Sequence, residues 1–289
     1  MPTKIEKDVY TGKDTTGHEW DGIKELDTPL PKWWINVWLV CIAFAAVYVV
    51  LYPSIPLGTT YFKGVLGWSS TGAVAQSVAA MNARHAADMK RIGQLPIMQV
   101  TADPKLKEVA LQAGRIAFAE NCQPCHGPAG TGRVGYPPLD TNFWLWGGTL
   151  PDIQRIIMYG IRSGDAKAHE SQMPAFGHDG ILKPDQVVLV SNYVATLFGI
   201  EKPGPTTAAG EKIFEDNCAA CHGTKGQGNQ SIGAPPLESR VHLYGDSLAA
   251  IEYQVNTPRA GVMPAWHTRL DPATINSLAI YVHSLGGGE

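Results

Sequence analysis

The sequence predicts an all-α chain with one N-terminal transmembrane helix followed by two tandem copies of a small helical domain. Three observations favour this class. Residues 33–52 form one uncharged apolar run, and the segment 113–132 recurs as 209–228. Neither copy shows the alternating apolar pattern of a strand. The chain has 289 residues, of which 44% are hydrophobic and 17% charged, so it can bury the cores of two or three domains.

Residues 1–32 are polar and lack apolar periodicity, which predicts an exposed tail. The following run, 33–52, has the length of about 20 residues that a helix needs to cross a bilayer. Three tryptophans crowd its start and Tyr52 closes it, as is typical of aromatic rings at the headgroup level. Pro53 follows directly. We therefore expect an anchor helix over 33–52.

A cleaved secretory signal is the alternative interpretation of this run. It lies 32 residues into the chain, is too long for a signal core, and is followed by YPSIP rather than a small-residue cleavage site. An uncleaved anchor is favoured. Lys24 and Lys32 precede the run closely, against Lys63 after it, a slight bias toward a cytoplasmic N-terminus. Cys41 inside the run is interpreted as a small apolar residue.

Residues 53–107 are predicted to be a connecting or docking segment. Their portion 65–80 is too polar for a second span and favours a stretch that lies on a surface. The stretch 81–92, MNARHAADMKRI, is expected to be a solvated helix.

The remainder of the chain is an internal duplication. AGRIAFAENCQPCHGPAGTG matches AGEKIFEDNCAACHGTKGQG, and the later motifs YPPL, MPAF and the closing helix also recur. The predicted domains cover 108–200 and 208–289. The linker 201–207, EKPGPTT, predicts a break between two folding units. Each closing helix is expected to be capped by an aspartate, Asp185 in the first and Asp271 in the second.

Each copy contains one C-x-x-C-H motif, the form that attaches haem covalently. On one helical turn both thiols and the histidine share a face, so the thiols can bond the porphyrin edge while the imidazole points at the iron. A Cys₄ zinc site and a thioredoxin-like redox pair are the alternatives. A histidine directly after both pairs, and the lack of a βαβ pattern, favour two covalently bound haem c groups. The residues are Cys122, Cys125 and His126, and Cys218, Cys221 and His222.

The sixth iron ligand in each copy is predicted to be a methionine. Met173 and Met263 occupy matching MPA positions, and a thioether opposite histidine raises the reduction potential and closes the iron to substrates. Three other residues, Met158, His169 and His267, are rival ligands, but none has a counterpart in the other copy. They and three more histidines are assigned to the surface or core. These six are Met158, His169, His178, His242, His267 and His283.

Proline-rich segments are expected to form the wall on the histidine side of each haem. They are Pro137 and Pro138 with Leu139, and Pro235 and Pro236 with Leu237. A backbone carbonyl there would accept the imidazole Nδ1–H and fix the tautomer. Tryptophans at 144, 146 and 266 are candidates for contacts with haem propionates or rings, with a plain structural role as the alternative.

The order of parts resembles the dihaem subunit of cbb₃-type cytochrome c oxidases, which carries two class I cytochrome c domains. The resemblance covers nearly the whole chain, including the WW start of the anchor and the Gly114…Phe118 and Gly210…Phe214 helices before each CxxCH. The closing helices carry Tyr193 and Tyr281. The resemblance implies that Met173 completes the first haem site, with His126, and that Met263 completes the second, with His222.

The resemblance further implies electron entry from a donor cytochrome c or the bc₁ complex. Electrons would then pass to a monohaem cytochrome c subunit and a catalytic haem–copper subunit, where oxygen is reduced. No catalytic residue is expected in this chain. Haem attachment outside the bacterial cytoplasmic membrane would make residues 53–289 periplasmic and the tail cytoplasmic, in a single-pass protein of the inner membrane.

Two other functions stay open at this point, a free membrane-tethered dihaem shuttle and a dihaem peroxidase. A peroxidase needs one haem with an exchangeable sixth position, which two matched methionines disfavour. Nucleic-acid binding is excluded, because the net charge is −3 and no stripe of lysine and arginine is present.

Overall fold

The computed structural model describes residues 4–286, and the chain divides into two compact units, Met1–Met81 and Asn82–Glu289. The predicted all-α class is confirmed, since the only strands in the described residues are two short hairpins in the first unit. The first hairpin pairs β1 (Thr15–Trp20) with β2 (Ile23–Leu26), and the second pairs β3 (Pro56–Leu57) with β4 (Thr60–Tyr61).

The first hairpin lies within residues 1–32, where the sequence predicted an exposed tail. Trp20 pairs with Ile23 across a two-residue turn, Asp21 and Gly22, whose φ angles are +48° and +86°. Positive φ at both turn positions is the geometry for which an Asp-Gly pair is suited in a hairpin. The side chains of the hairpin are mostly exposed, as expected of a polar segment.

The anchor prediction agrees closely with helix α1, which covers Lys32–Leu51. No residue of α1 is buried by the protein, and no charge follows Lys32 in it, so a bilayer suits its side chains. The next helix, α2 (Ser70–Gln94), is one continuous helix where the sequence suggested a surface stretch followed by a separate helix. It enters the second unit, where Ile92 is fully buried.

Nine helices follow in the described part of the second unit. They are α3 (Ile97–Ala102), α4 (Pro104–Asn121), α5 (Gln123–His126), α6 (Leu150–Tyr159), α7 (Pro184–Leu197), α8 (Thr207–Asn217), α9 (Ala219–His222), α10 (Leu248–Asn256) and α11 (Pro272–Gly286).

The capping prediction is right for one closing helix and wrong for the other. The Asp271 carboxylate accepts hydrogen bonds from the backbone N–H groups of Ala273 and Thr274 and so caps α11. Helix α7 instead has Lys183 at its N-cap, where the Lys183 N–H donates to the Gln186 side chain. Asp185 lies in the first turn, a favourable place for a negative charge.

Packing between helices does not follow the repeats. Helix α4, from the first repeat, packs against α11, from the second, and α6 also packs against α11. Helix α8, from the second repeat, packs against α7, from the first, and α10 also packs against α7. Each cluster therefore combines an opening helix of one repeat with a closing helix of the other.

Two hydrophobic cores result. The core of the outer module is formed by α3, α4, α6 and α11, together with the end of α2. The core of the inner module lies within the continuous stretch 173–256, which contains α7–α10. The inner module is thus inserted into the outer one. The helices on either side of the predicted linker 201–207, α7 and α8, pack together in the inner module.

Matched contacts explain how the repeats can exchange helices. In the outer module Gly114 of α4 lies against the Ser277 carbonyl of α11, and the rings of Phe118 and Tyr281 have centroids 5.4 Å apart. In the inner module Gly210 lies against the Leu189 carbonyl, and the rings of Phe214 and Tyr193 are 5.3 Å apart. Because the opening and closing helices of both repeats carry the same contact residues, either closing helix is complementary to either opening helix.

Candidate haem centres

Each CxxCH motif forms a single helical turn directly after an opening helix. In the outer module, the N–H groups of Cys125 and His126 both donate to the Cys122 carbonyl, at 3.1 and 2.9 Å. The turn at Cys218 has the same two bonds at the same distances. This spacing places two thiols and an imidazole on one face of each turn, as the haem-attachment interpretation requires.

The hydrogen bonds of the two histidines fix their tautomer. His126 Nδ1 lies 3.0 Å from the Pro137 carbonyl, and His222 Nδ1 lies 3.0 Å from the Pro235 carbonyl. A carbonyl can only accept, so Nδ1 must carry the proton and Nε2 keeps its lone pair. Burial lowers the pKa of both imidazoles, which also favours the neutral, metal-binding form. The backbone carbonyl that the sequence predicted opposite each imidazole is present at both sites.

The thiols are free and unequal in exposure. Cys125 and Cys221 are exposed, whereas Cys122 is half-buried and Cys218 buried. Burial, with the neighbouring thiol adding to it, raises the pKa of Cys122 and of Cys218 to about 11. Cys122 and Cys218 therefore lack the lowered pKa that activates the cysteine of a thioredoxin-type pair.

A shared zinc site has no support either, because the two CxxC pairs belong to different cores. Cys122 packs against the outer core and Cys218 lies in the inner core. In residues 4–286 no three His, Cys, Asp or Glu side chains lie close enough to hold a metal ion.

The donor set of each module fits a covalently bound haem. Two thiols, one imidazole with a free Nε2 and one thioether are the groups that c-type haem uses. In the outer module the buried Trp144 Nε1–H has no partner in the protein. A buried donor is rarely left unpaired, and a haem carboxylate would be a suitable acceptor.

The methionines lie in the opposite arrangement to the one expected. Met263 packs against the outer core, which Cys122 also contacts, and Met173 packs against the inner core, which contains Cys218. The backbone of Met263 is paired with Ile161 of the first repeat, N–H to carbonyl in both directions at 3.0 Å. This packing does not follow the predicted pairing of His126 with Met173 and of His222 with Met263.

Most of the rival residues have structural contacts. His169 stacks on Trp146 with ring centroids 4.2 Å apart, and His267 Nε2 lies 2.8 Å from an Asp165 carboxylate oxygen. Met158 is half-buried at the edge of the outer core. The remaining contacts are those of His178 with Asp179 and of the His242 ring with Phe198.

Sequence reasoning missed the segment after α6 that holds Met263 in the outer module. Ile161 has no distinguishing side-chain chemistry, and its role depends on a backbone pairing with residue 263, about a hundred positions away. A repeat search compares the two copies with each other and contains no signal for a contact between them.

Three family models match the chain. Residues 12–59 match the N-terminal domain of cytochrome oxidase-cbb3, FixP, residues 111–198 match cytochrome c, and residues 205–282 match cytochrome c oxidase, cbb3-type, subunit III. Together they cover the anchor and both repeats.

Curated relatives match over nearly their full length. The chain is 49% identical to a Cbb3-type cytochrome c oxidase subunit FixP of Bradyrhizobium diazoefficiens, over all of both chains. It is 46% identical to a subunit CcoP of an Azospirillum species, over 98% of each chain. It is 42% identical to a subunit CcoP of Cereibacter sphaeroides, again over all of both chains.

Proposed function

Because the chain belongs to the FixP/CcoP family of cbb₃-type cytochrome c oxidase subunits, we propose that it receives electrons from a donor cytochrome c or the bc₁ complex and passes them onward within the oxidase. It is an electron-transfer subunit with two cytochrome c domains and two covalently bound haem c groups. The acceptors in this proposal are the monohaem cytochrome c subunit and the catalytic haem–copper subunit.

The observation that supports this function best is the duplicated site. Each module presents two thiols on one helical turn, a histidine whose Nδ1 is bonded to a carbonyl, and a methionine at its core. A bound haem c supplies reversible one-electron chemistry at iron. A histidine and a methionine that both ligate the iron would leave it no open position for oxygen or peroxide, so we assign oxygen reduction to another subunit.

The proposed ligand sets follow the modules rather than the repeats. We assign His126 and Met263 to the outer iron, with thioether bonds to Cys122 and Cys125. We assign His222 and Met173 to the inner iron, with thioether bonds to Cys218 and Cys221. The neutral thioether favours ferrous iron and so raises the potential at both sites.

The membrane arrangement is proposed from α1. The chain is a single-pass membrane protein of an oxidase complex, with α1 as its spanning helix. We propose a cytoplasmic N-terminus and periplasmic haem domains, supported by Lys24 before the helix and Lys32 at its first position. Proteolysis of intact spheroplasts tests it, because only residues after 52 should then be cut from outside.

Purification in mild detergent tests the assignment to an oxidase. We expect haem b and copper to co-purify with this chain, together with a second c-type cytochrome. A chain that purifies alone, with rapid exchange between partners, would support a free tethered shuttle instead. Turnover of hydrogen peroxide by the isolated chain, or a high-spin ferric haem at rest, would contradict the closed ligation and favour a peroxidase.

A further inference from the structure

The segment 160–162, which follows α6, lies between the two chain segments that lead into the methionines. On one side Ile161 pairs with Met263 through two backbone hydrogen bonds of 3.0 Å. On the other side the Arg162 N–H donates to the His169 carbonyl at 2.7 Å. We call the three segments 160–162, 169–171 and 261–263 the methionine seam.

The side chain of Arg162 reaches across the whole seam. Its Nε donates to the Gly261 carbonyl at 2.7 Å, and its Nη1 donates to the Ser171 carbonyl at 2.6 Å. Each of these carbonyls lies two residues before a methionine, Met263 in one case and Met173 in the other. One guanidinium therefore contacts both of the loops that enter the two cores.

Two further properties of Arg162 set it apart from a surface arginine. It is half-buried, and its φ of +51° lies in the left-handed region, which a long side chain adopts only at a cost in free energy. Residues held in such a conformation are over-determined by their surroundings and concentrate at functional sites. Arginine also suits the task because its rigid fork presents several donors at once.

The second repeat supplies a natural comparison. Arg259 stands three residues after the end of α10, as Arg162 stands three residues after the end of α6. Its guanidinium donates to the Tyr244 carbonyl and the Gln254 side chain and lies over the rings of Tyr244 and Tyr253. None of these partners is in the segments 169–171 or 261–263, so the bridge between the methionine loops belongs to the first repeat alone.

We propose that Arg162 is a positioning residue that holds Met173 and Met263 on their two irons at the same time, so that the two haem sites loosen or tighten together. This rests on the ligand sets proposed above. The physical basis is that both loops lose a charge-assisted hydrogen bond if one side chain is removed. Losing one such bond shifts a local equilibrium by about tenfold.

The test uses the full chain with both haems attached and compares Arg162→Gln with Arg259→Gln. Binding of carbon monoxide to ferrous haem and the methionine–iron charge-transfer band of ferric haem report the sixth ligand directly. We expect Arg162→Gln to raise carbon monoxide binding about tenfold at both sites and to weaken the band. Arg162→Lys, which keeps the charge but has a single donor point, should fall between Gln and the native residue.

Methionine variants open the two haem sites one at a time. They also distinguish a failure of the proposed ligand sets from a failure of the proposed role of Arg162. Met173→Ala and Met263→Ala should each allow carbon monoxide to bind at one haem. If neither does, the proposed ligand sets are wrong, whatever the result for Arg162→Gln. In the Met173→Ala chain, added Arg162→Gln should open the remaining haem, and the same should hold in the Met263→Ala chain. If Arg162→Gln opens only one haem or neither, or if Arg259→Gln acts equally on both, the coupling role is overturned.

Discussion

The outer and inner modules are built from the same parts but differ in how the chain supplies them. The inner module is continuous, 173–256, and its methionine precedes its CxxCH motif. The outer module is split, since its methionine and closing helix arrive after the inner module has been completed. The difference shows that two tandem repeats in a sequence can form two nested modules in space.

The modules also differ in the number of helices that contribute to their cores. Helices α2 and α3 add Ile92, Ile97 and Val100 to the outer core, and buried Asn276 of α11 donates to the Ile92 carbonyl at 2.7 Å. The inner core contains no residue from these helices. The additional buried apolar area contributes to stability in proportion to its size. We therefore expect the outer module to be the more stable of the two despite its split chain.

The largest expected effect comes from cutting the chain at the module boundaries. A fragment covering 170–258 should take up haem and show low-spin histidine–methionine ligation, because it contains all the helices of the inner core. The complementary chain, 82–164 joined to 259–289 by a short flexible linker, should do the same with the outer haem. Absorption and circular dichroism check both.

If the 170–258 fragment does not show low-spin histidine–methionine ligation, its helices are not sufficient to form the inner module. The matched control is the same fragment with Met173→Ala, which should keep its haem but bind carbon monoxide. A fragment that stays closed in this control would have another sixth ligand.

Local sequence patterns predict the parts of this molecule but not which helices pack together. The anchor, the CxxCH turns and the carbonyls opposite His126 and His222 all follow from local patterns, because their partners lie within about a dozen residues. Local patterns do not predict which closing helix packs against which opening helix. Tyr193 and Tyr281 present the same ring, and both opening helices present the same Gly-x-x-x-Phe surface. Two equivalent pairings cannot be separated by a pattern that both satisfy.

The second largest expected effect tests which iron each methionine ligates. Cys125→Ala should leave one thioether bond at the outer haem and shift its absorption band to longer wavelength, so that the two haems can be distinguished. In this background Met263→Ala should lower the potential of the shifted haem and open it to carbon monoxide, because Met263 packs in the outer core. Potentiometry with spectral detection measures both.

The same background with Met173→Ala is the control, and there the unshifted haem should respond. If Met263→Ala opens the unshifted haem, each repeat supplies its own methionine after all. The spectra thus discriminate between the nested and the tandem arrangement without any loss of haem.

A smaller effect is expected at the aromatic contacts between opening and closing helices. Phe118→Ala and Phe214→Ala should each lower the free energy of unfolding by about 3–5 kcal/mol, since both rings are buried. A double-mutant cycle should find coupling of about 0.5–1.5 kcal/mol between Phe118 and Tyr281. The cycle of Phe118 with Tyr193 should give none, and coupling there would restore the tandem arrangement.

The smallest effect concerns a contact between the repeats in the outer module, where an Asp165 carboxylate oxygen lies 2.8 Å from His267 Nε2. The Lys167 backbone N–H, followed by the His267 side chain, holds the pKa of Asp165 below its usual range. A carboxyl with a lowered folded pKa stabilises the fold above its unfolded pKa of about 3.9, and this contribution is lost as the pH falls through the lower folded value.

Asp165→Asn should therefore lower the melting temperature slightly at neutral pH, and the difference from the native chain should vanish in acid. The pair is partly exposed, so added salt should also shrink the difference. Lys212 and Asp216 form an ion pair within α8 alone and provide the control. Asp216→Asn should leave the melting of the outer module unchanged, whereas Asp165→Asn should lower it, because of these two pairs only that of Asp165 with His267 lies in the outer module.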